Sequence, residues 1–135
     1  MKLLKLNTIL LLSAITLIES CSSKSPAPPP PPTEQPIAFT HNGGSNVLNP
    51  GSSLNFTVTL TSAMPAGGIK VEVITKEEAS GNTVGTNSSV SSTSATVNVG
   101  VSALPRQFWC IVTIKVTSAS TASNSAIQTF RIVYK

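Results

Sequence analysis

The 135-residue chain contains no aspartate, one histidine, one tryptophan and two cysteines. Each shortage closes off chemistry. Calcium sites draw on closely spaced carboxylates, Asp above all. The acidic complement here is five glutamates, with Glu77-Glu78 as the only adjacent pair. Neighbours on a strand point to opposite faces, so that pair makes no chelating site. General acid–base pairs and Ser-His-Asp triads need groups that are missing, and any Glu-based triad would have to recruit His41. No cysteine–histidine cluster has zinc spacing. No Gly-rich phosphate loop follows a strand and opens a helix. These absences predict a protein that is not an enzyme and needs neither metal nor cofactor.

Charge is also sparse. The formal net charge is +4. Behind residue 20 the basic residues are Lys24, Lys70, Lys76, Arg106, Lys115, Arg131 and Lys135, against Glu34, Glu72, Glu77 and Glu78. They are scattered, which argues against a nucleic-acid surface. Long apolar runs are missing too. The one greasy stretch, Ile9 to Ile18, is about half the ~20 residues that a membrane-spanning helix needs, and Ser13 and Thr16 interrupt it.

That stretch has a distinctive setting. Lys2 and Lys5 precede it, and Ile18-Glu19-Ser20-Cys21 follows. A charged start, a short apolar core and a small residue before the cut are the marks of a secretory signal. The final four residues resemble the lipobox of bacterial lipoprotein precursors, although Glu19 stands where that family carries a small or apolar residue. The resemblance implies cleavage before Cys21 and lipid on that cysteine. The mature protein would then be held at a membrane of the bacterial cell envelope through Cys21. Ser22, in place of Asp behind the cysteine, favours the outer membrane over the inner by the family's sorting habit. An ordinary secretory cut near Ser20 or Ser22 is the alternative.

Residues 21–36 read as a linker. Ser and Pro dominate, with an unbroken Pro28–Pro32 run. Such a run lacks backbone donors and favours the extended polyproline II helix. At ~3.1 Å per residue, fifteen residues of it reach roughly 45 Å, a semi-rigid stalk. A PxxP ligand for an aromatic groove is the lesser reading.

From residue 37 the pattern changes to period two. Leu54, Phe56, Val58 and Leu60 alternate with polar residues, as do Ala95, Val97, Val99 and Val101. Phe108, Cys110, Val112, Ile114 and Val116 form a third row. Alternation of this kind predicts strands with one buried face. Turn chemistry at Asn49-Pro50-Gly51-Ser52, Met64-Pro65-Ala66-Gly67-Gly68, Ser80-Gly81-Asn82 and Leu104-Pro105 divides them. Strands are expected near 37–40, 46–48, 53–62, 69–77, 83–86, 94–101, 107–117 and 126–134. Seven or so short strands in about a hundred residues predict an all-β sandwich as a single domain, 37–135, with an open barrel as the alternative.

The segments Ala103 to Thr117 and Thr129-Phe130-Arg131-Ile132-Val133 are similar to the last two strands of bacterial immunoglobulin-like and PKD-like domains: a Leu-Pro turn, an aromatic, alternating Val and Thr, then Thr-Phe. The resemblance implies an immunoglobulin-like sandwich of antiparallel strands. The acidic Gly-rich turn of PKD domains and the paired cysteines of antibody domains are absent. Fold alone does not fix function.

Parity supplies one candidate site. With Phe108, Cys110, Val112 and Ile114 inward, Trp109 and Ile111 face out. By the same rule Ile74 faces out on 69–77 and Val133 on the last strand, whose inward row is Phe130, Ile132 and Tyr134. If these strands are neighbours, Trp109, Ile111, Ile74 and Val133 form an exposed apolar patch for a partner. Cys110 reads as a buried free thiol. Two function classes follow. One is an envelope module docking a protein or glycan through this face. The other is a spacer with no dedicated ligand. Oligomeric state is left open by the pattern.

The lipid reading has a direct check. Cys21→Ala should move the protein from the membrane fraction to the soluble fraction, and intact mass of the wild type should include acyl chains. A mutant that stays membrane-bound without detergent, with an unmodified wild-type mass, would remove the anchor.

Overall fold

The structure, a computed structural model, describes residues 33–135. The expectations for the signal segment 1–20, for Cys21 and for the linker as far as residue 32 lie outside the described residues. Among the described residues no helix is long and apolar enough to cross a membrane.

Among the described residues eight strands form two sheets. They are β1 (Phe39–His41), β2 (Asn46–Asn49), β3 (Leu54–Leu60), β4 (Ile69–Glu77), β5 (Ser88–Ser92), β6 (Thr96–Val101), β7 (Trp109–Ser118) and β8 (Ser125–Tyr134). One sheet has the order β1-β3-β6 and the other β2-β8-β7-β4-β5. In immunoglobulin terms β1, β3 and β6 are strands A, B and E, while β4, β7 and β8 are C, F and G. β5 lies beside β4, so the second sheet gains a strand at that edge.

The alternation read from the sequence is what buries the core. On β4, Ile69, Val71, Val73 and Thr75 are buried. On β7, Cys110, Val112, Ile114 and Val116 are all essentially inaccessible. Phe56, Val58 and Leu60 meet them from the facing sheet with Val97, Val99 and Val101. Truncating such a buried aliphatic to Ala costs about 2–5 kcal/mol in comparable cores.

Three expectations are corrected. Residues 83–86 form no strand; Thr83 and Thr86 make isolated bridges to Lys76 and Ser102, and the fifth strand is Ser88–Ser92. Phe108 is 53% exposed instead of inward. Gln107 adopts φ 65°, a left-handed turn that resets the chain so that alternation starts at Trp109. Finally, not every pair is antiparallel: β2 runs parallel to β8.

The parallel pairing comes from a crossing. β1 pairs with β3 in the first sheet, then His41-Asn42-Gly43-Gly44-Ser45 carries the chain to the second. Gly44 has φ +84°, where side-chain-bearing residues are strained. A Cβ on Gly43 would stand 3.0 Å from the Phe130 ring. Asn49 then closes the next turn, its Nδ2 donating to the carbonyls of Gly51 and Ser53.

Asn124, just before β8, holds the start of the domain. Its Oδ1 accepts from the Ile37 amide at 2.9 Å, and its Nδ2 donates to the Gln35 carbonyl and to Glu34. The chain therefore enters beside the β7–β8 turn. Trp109 and Val133 lie at the other end of those ten-residue strands, about 30 Å away at the rise of an extended strand.

Thr75 is fully buried and its Oγ1 has no hydrogen-bond partner among the described residues. An unpartnered buried hydroxyl costs about 1–3 kcal/mol. Thr75→Val keeps the shape and removes the orphan, so it should raise stability by about 1 kcal/mol in denaturant titration. A clear loss would mean that the hydroxyl is satisfied in solution.

Candidate functional site

The outer face of the five-stranded sheet is set by register. Across its far end lie Leu48 of β2, Val133 of β8 and Trp109 of β7 in one row. The Glu78 amide donates to the Trp109 carbonyl and extends that row beyond β4. The next row is Asn46, Arg131, Ile111 and Lys76. Thr129, Thr113 and Ile74 follow.

Trp109, Ile111, Ile74 and Val133 therefore share a face, and their strands are neighbours as expected. They do not make one open apolar patch. Val133 is only 5% exposed, because Leu48 and Trp109 flank it in register. Ile111 is half-buried between Lys76 and Arg131. Ile74 is 41% exposed but sits one row further on, beside Thr113.

Trp109 itself is partly covered. The Arg131 guanidinium lies over its ring at 4.6 Å from the centroid, a cation–π contact worth about 0.5–1 kcal/mol at an exposed site. Arg131 is held there by Glu78, Nη2 to Oε2 at 2.6 Å. Exposed pairs of this kind contribute about 0–1 kcal/mol. Their effect is to place the Arg131 plane over one side of the indole.

What remains open is a groove of about 460 Å³ lined by Leu48, Gln107, Trp109, Val133 and Lys135. Leu48, at 57%, is one of the most exposed large apolar side chains among the described residues. Parity could have flagged Leu48, since the strand near 46–48 was legible. Its neighbours could not be guessed, because the parallel β2–β8 pairing has no local signature. Gln107 reaches the groove through its left-handed backbone, and its amide donates to the Tyr134 carbonyl at 2.7 Å. Arg106 sits 5.9 Å from the Tyr134 ring centroid. Neither Arg106 nor Lys135 joins an ion pair among the described residues.

His41 and Cys110 are not joined by a hydrogen bond among the described residues. His41 stacks on Phe130 at 5.2 Å, and Phe130 meets Phe56 edge-on at 5.3 Å. The His41 Nδ1 accepts from the Gly43 amide at 3.2 Å, which fixes the neutral ring with its proton on Nε2. Burial lowers its pKa below the ordinary 6.5. Cys110 is buried and lies 3.7 Å from the Phe108 carbonyl. Burial and then the Glu77 charge push the thiol up, away from a reactive thiolate. Among the described residues no group of three His, Cys or Glu side chains could hold a metal ion.

No family model and no curated protein matches the sequence. Among solved structures, the sensor domain of the anti-sigma factor RsgI4 in Pseudobacteroides cellulosolvens is similar at 18% identity and a TM-score of 0.45, covering 76% of this chain and all of that one.

The histidine supplies a pH test. A folded-state pKa below the unfolded value means that the unfolded chain binds more protons, so stability rises with pH. The His41 contribution is present above pH 6.5 and is lost as pH falls toward the folded pKa. Thermal melts from pH 7.5 to 5.0 should show a falling midpoint, and His41→Phe, which keeps the stack, should flatten it. An equally steep fall in the variant would assign the effect elsewhere.

Proposed function

We propose that this chain is a lipid-anchored, non-catalytic binding module of the bacterial cell envelope, docking a partner at the far end of its outer sheet face. The observation that carries the reading is the opposition of the two ends. The chain arrives at the Asn124 end, where Glu34 to Ile37 are held. The groove beside Trp109 lies at the opposite end of β7 and β8. A lipid on Cys21 would leave the groove at the end of the domain opposite to the one where the chain enters.

The composition of the groove also supports binding over mere spacing. An indole edge, an exposed Leu, an amide and an unpaired Lys converge on one opening. Interfaces concentrate their energy in such Trp-centred spots. The middle of the same face is mixed: Thr113, Thr129, Lys115 and Thr117 surround Ile74 and Ile127, which stand exposed with no groove beside them. The protein is read as docking through one end of the face, not through its whole area.

The test is crosslinking in intact cells followed by purification. Trp109→Ala should reduce the yield of a defined partner at least tenfold while shifting the melting midpoint by only a few degrees. Loss of several kcal/mol of stability with unchanged capture would make Trp109 a packing residue and move the docking site elsewhere; a wild type that captures no defined partner would leave the spacer reading.

A further inference from the structure

We infer that the partner docks as an extended, acidic peptide segment that adds a strand to the outer edge of β2 and places one apolar side chain in the groove beside Trp109. This rests on the docking end proposed above and adds the chemical class and the binding mode.

The backbone of β2 carries the argument. Arg131 and Lys135 amides donate to the carbonyls of Ser45 and Asn49, at 2.9 and 3.1 Å. With the parallel register Asn46↔Arg131 to Asn49↔Tyr134, residues 45, 47 and 49 bond to β8. Strand alternation then turns the N–H and C=O of Asn46 and Leu48 to the other edge. Among the described residues no strand pairs with β2 on that side. Among the described residues nothing else bonds those four groups. Open edges are a template for another strand, and proteins usually blunt them by keeping the strand very short, as the four residues of β2 are, or with charge, proline or a covering segment. β2 has the sequence Asn-Val-Leu-Asn, with neither charge nor proline. The opposite edge strand, β5, is serine-rich and lies against the other sheet, where the Ser88 hydroxyl contacts the Gly100 carbonyl at 3.4 Å.

The groove adjoins this edge and gives it selectivity. Leu48 belongs both to the open edge and to the groove lining. An added strand would run beside Leu48 and present alternate side chains to the outer face, where Leu48, Val133 and Trp109 offer an apolar seat. The cation on the groove wall, Lys135, joins no ion pair among the described residues and selects acidic over basic residues around that anchor; Arg106 lies instead over Tyr134, whose ring packs against the core. A sugar would use the indole and Lys135 but would leave the aligned backbone donors and acceptors of β2 unused.

The test uses the described domain within the full mature chain and a random nonapeptide library displayed on phage. Selected peptides should share an apolar residue flanked by acids. A synthetic peptide from the selection should slow hydrogen exchange at the Asn46 and Leu48 amides while the Val47 amide stays protected throughout. Asn46→Pro deletes an outward donor and spares the groove lining, so it should weaken the peptide at least tenfold with little change in melting. Leu48→Pro, which removes the other outward donor together with a groove side chain, should weaken it at least as much. Lys135→Glu should reverse the charge preference of the selection.

Selection of no peptide above a bare-matrix control overturns the inference. So does equal binding to Asn46→Pro. If Trp109→Ala weakens peptides that Asn46→Pro does not, the docking end stands and strand addition fails. If the Asn46 and Leu48 amides are protected by self-association in sedimentation, or by oligouronates but not peptides, the assigned partner is wrong.

Discussion

Five residues, His41-Asn42-Gly43-Gly44-Ser45, decide where everything at the far end of this sandwich can be. They move the chain from the three-stranded sheet to the five-stranded one. The step succeeds because Gly43 fits under the Phe130 ring and Gly44 accepts a left-handed backbone. His41 closes the bend by accepting from the Gly43 amide while stacked on the same ring. Without this crossing β2 would not lie beside β8, Val133 would lose its cover from Leu48, and the groove would lose a wall. A histidine that invites thoughts of catalysis is instead part of a bend, kept neutral by its burial and its acceptor role.

The core was legible because it depends on local parity. Ile69, Val71 and Val73, and Cys110, Val112 and Ile114, alternate cleanly and are all buried. Strand β4 falls on 69–77 as expected. Phe108 broke the rule because one left-handed residue, Gln107, shifts the phase, and no propensity announces a glutamine at φ 65°. Val133 is the more instructive case. Its outward direction follows from parity, but its cover comes from a strand more than eighty residues away in sequence. Side-chain direction is local information, whereas exposure depends on who sits next door.

The candidate site shows the same division. Trp109 stood out as the single tryptophan on an outward position. Its actual surroundings, an Arg131 plane above it and Glu78 holding that plane, join three strands or their extensions. Neither partner is apolar, so a search for greasy neighbours passes over both. Ile74 and Ile111, the expected companions, lie among Thr113, Lys76 and Arg131 and add little to a shared surface.

The clamp at Asn124 has a mechanical meaning. A load applied between the start of the domain and a partner held on β2 would run along residues 37–48 alone, through β1, the crossing and β2. That path lies along the strands, so the bonds of β1 to β3 and of β2 to β8 would be pulled in shear, many at once, instead of being unzipped one by one. The buried rows of β4 and β7 would carry almost none of the tension. Such a domain resists pulling with its two shortest strands, and its core stays a bystander until they give way.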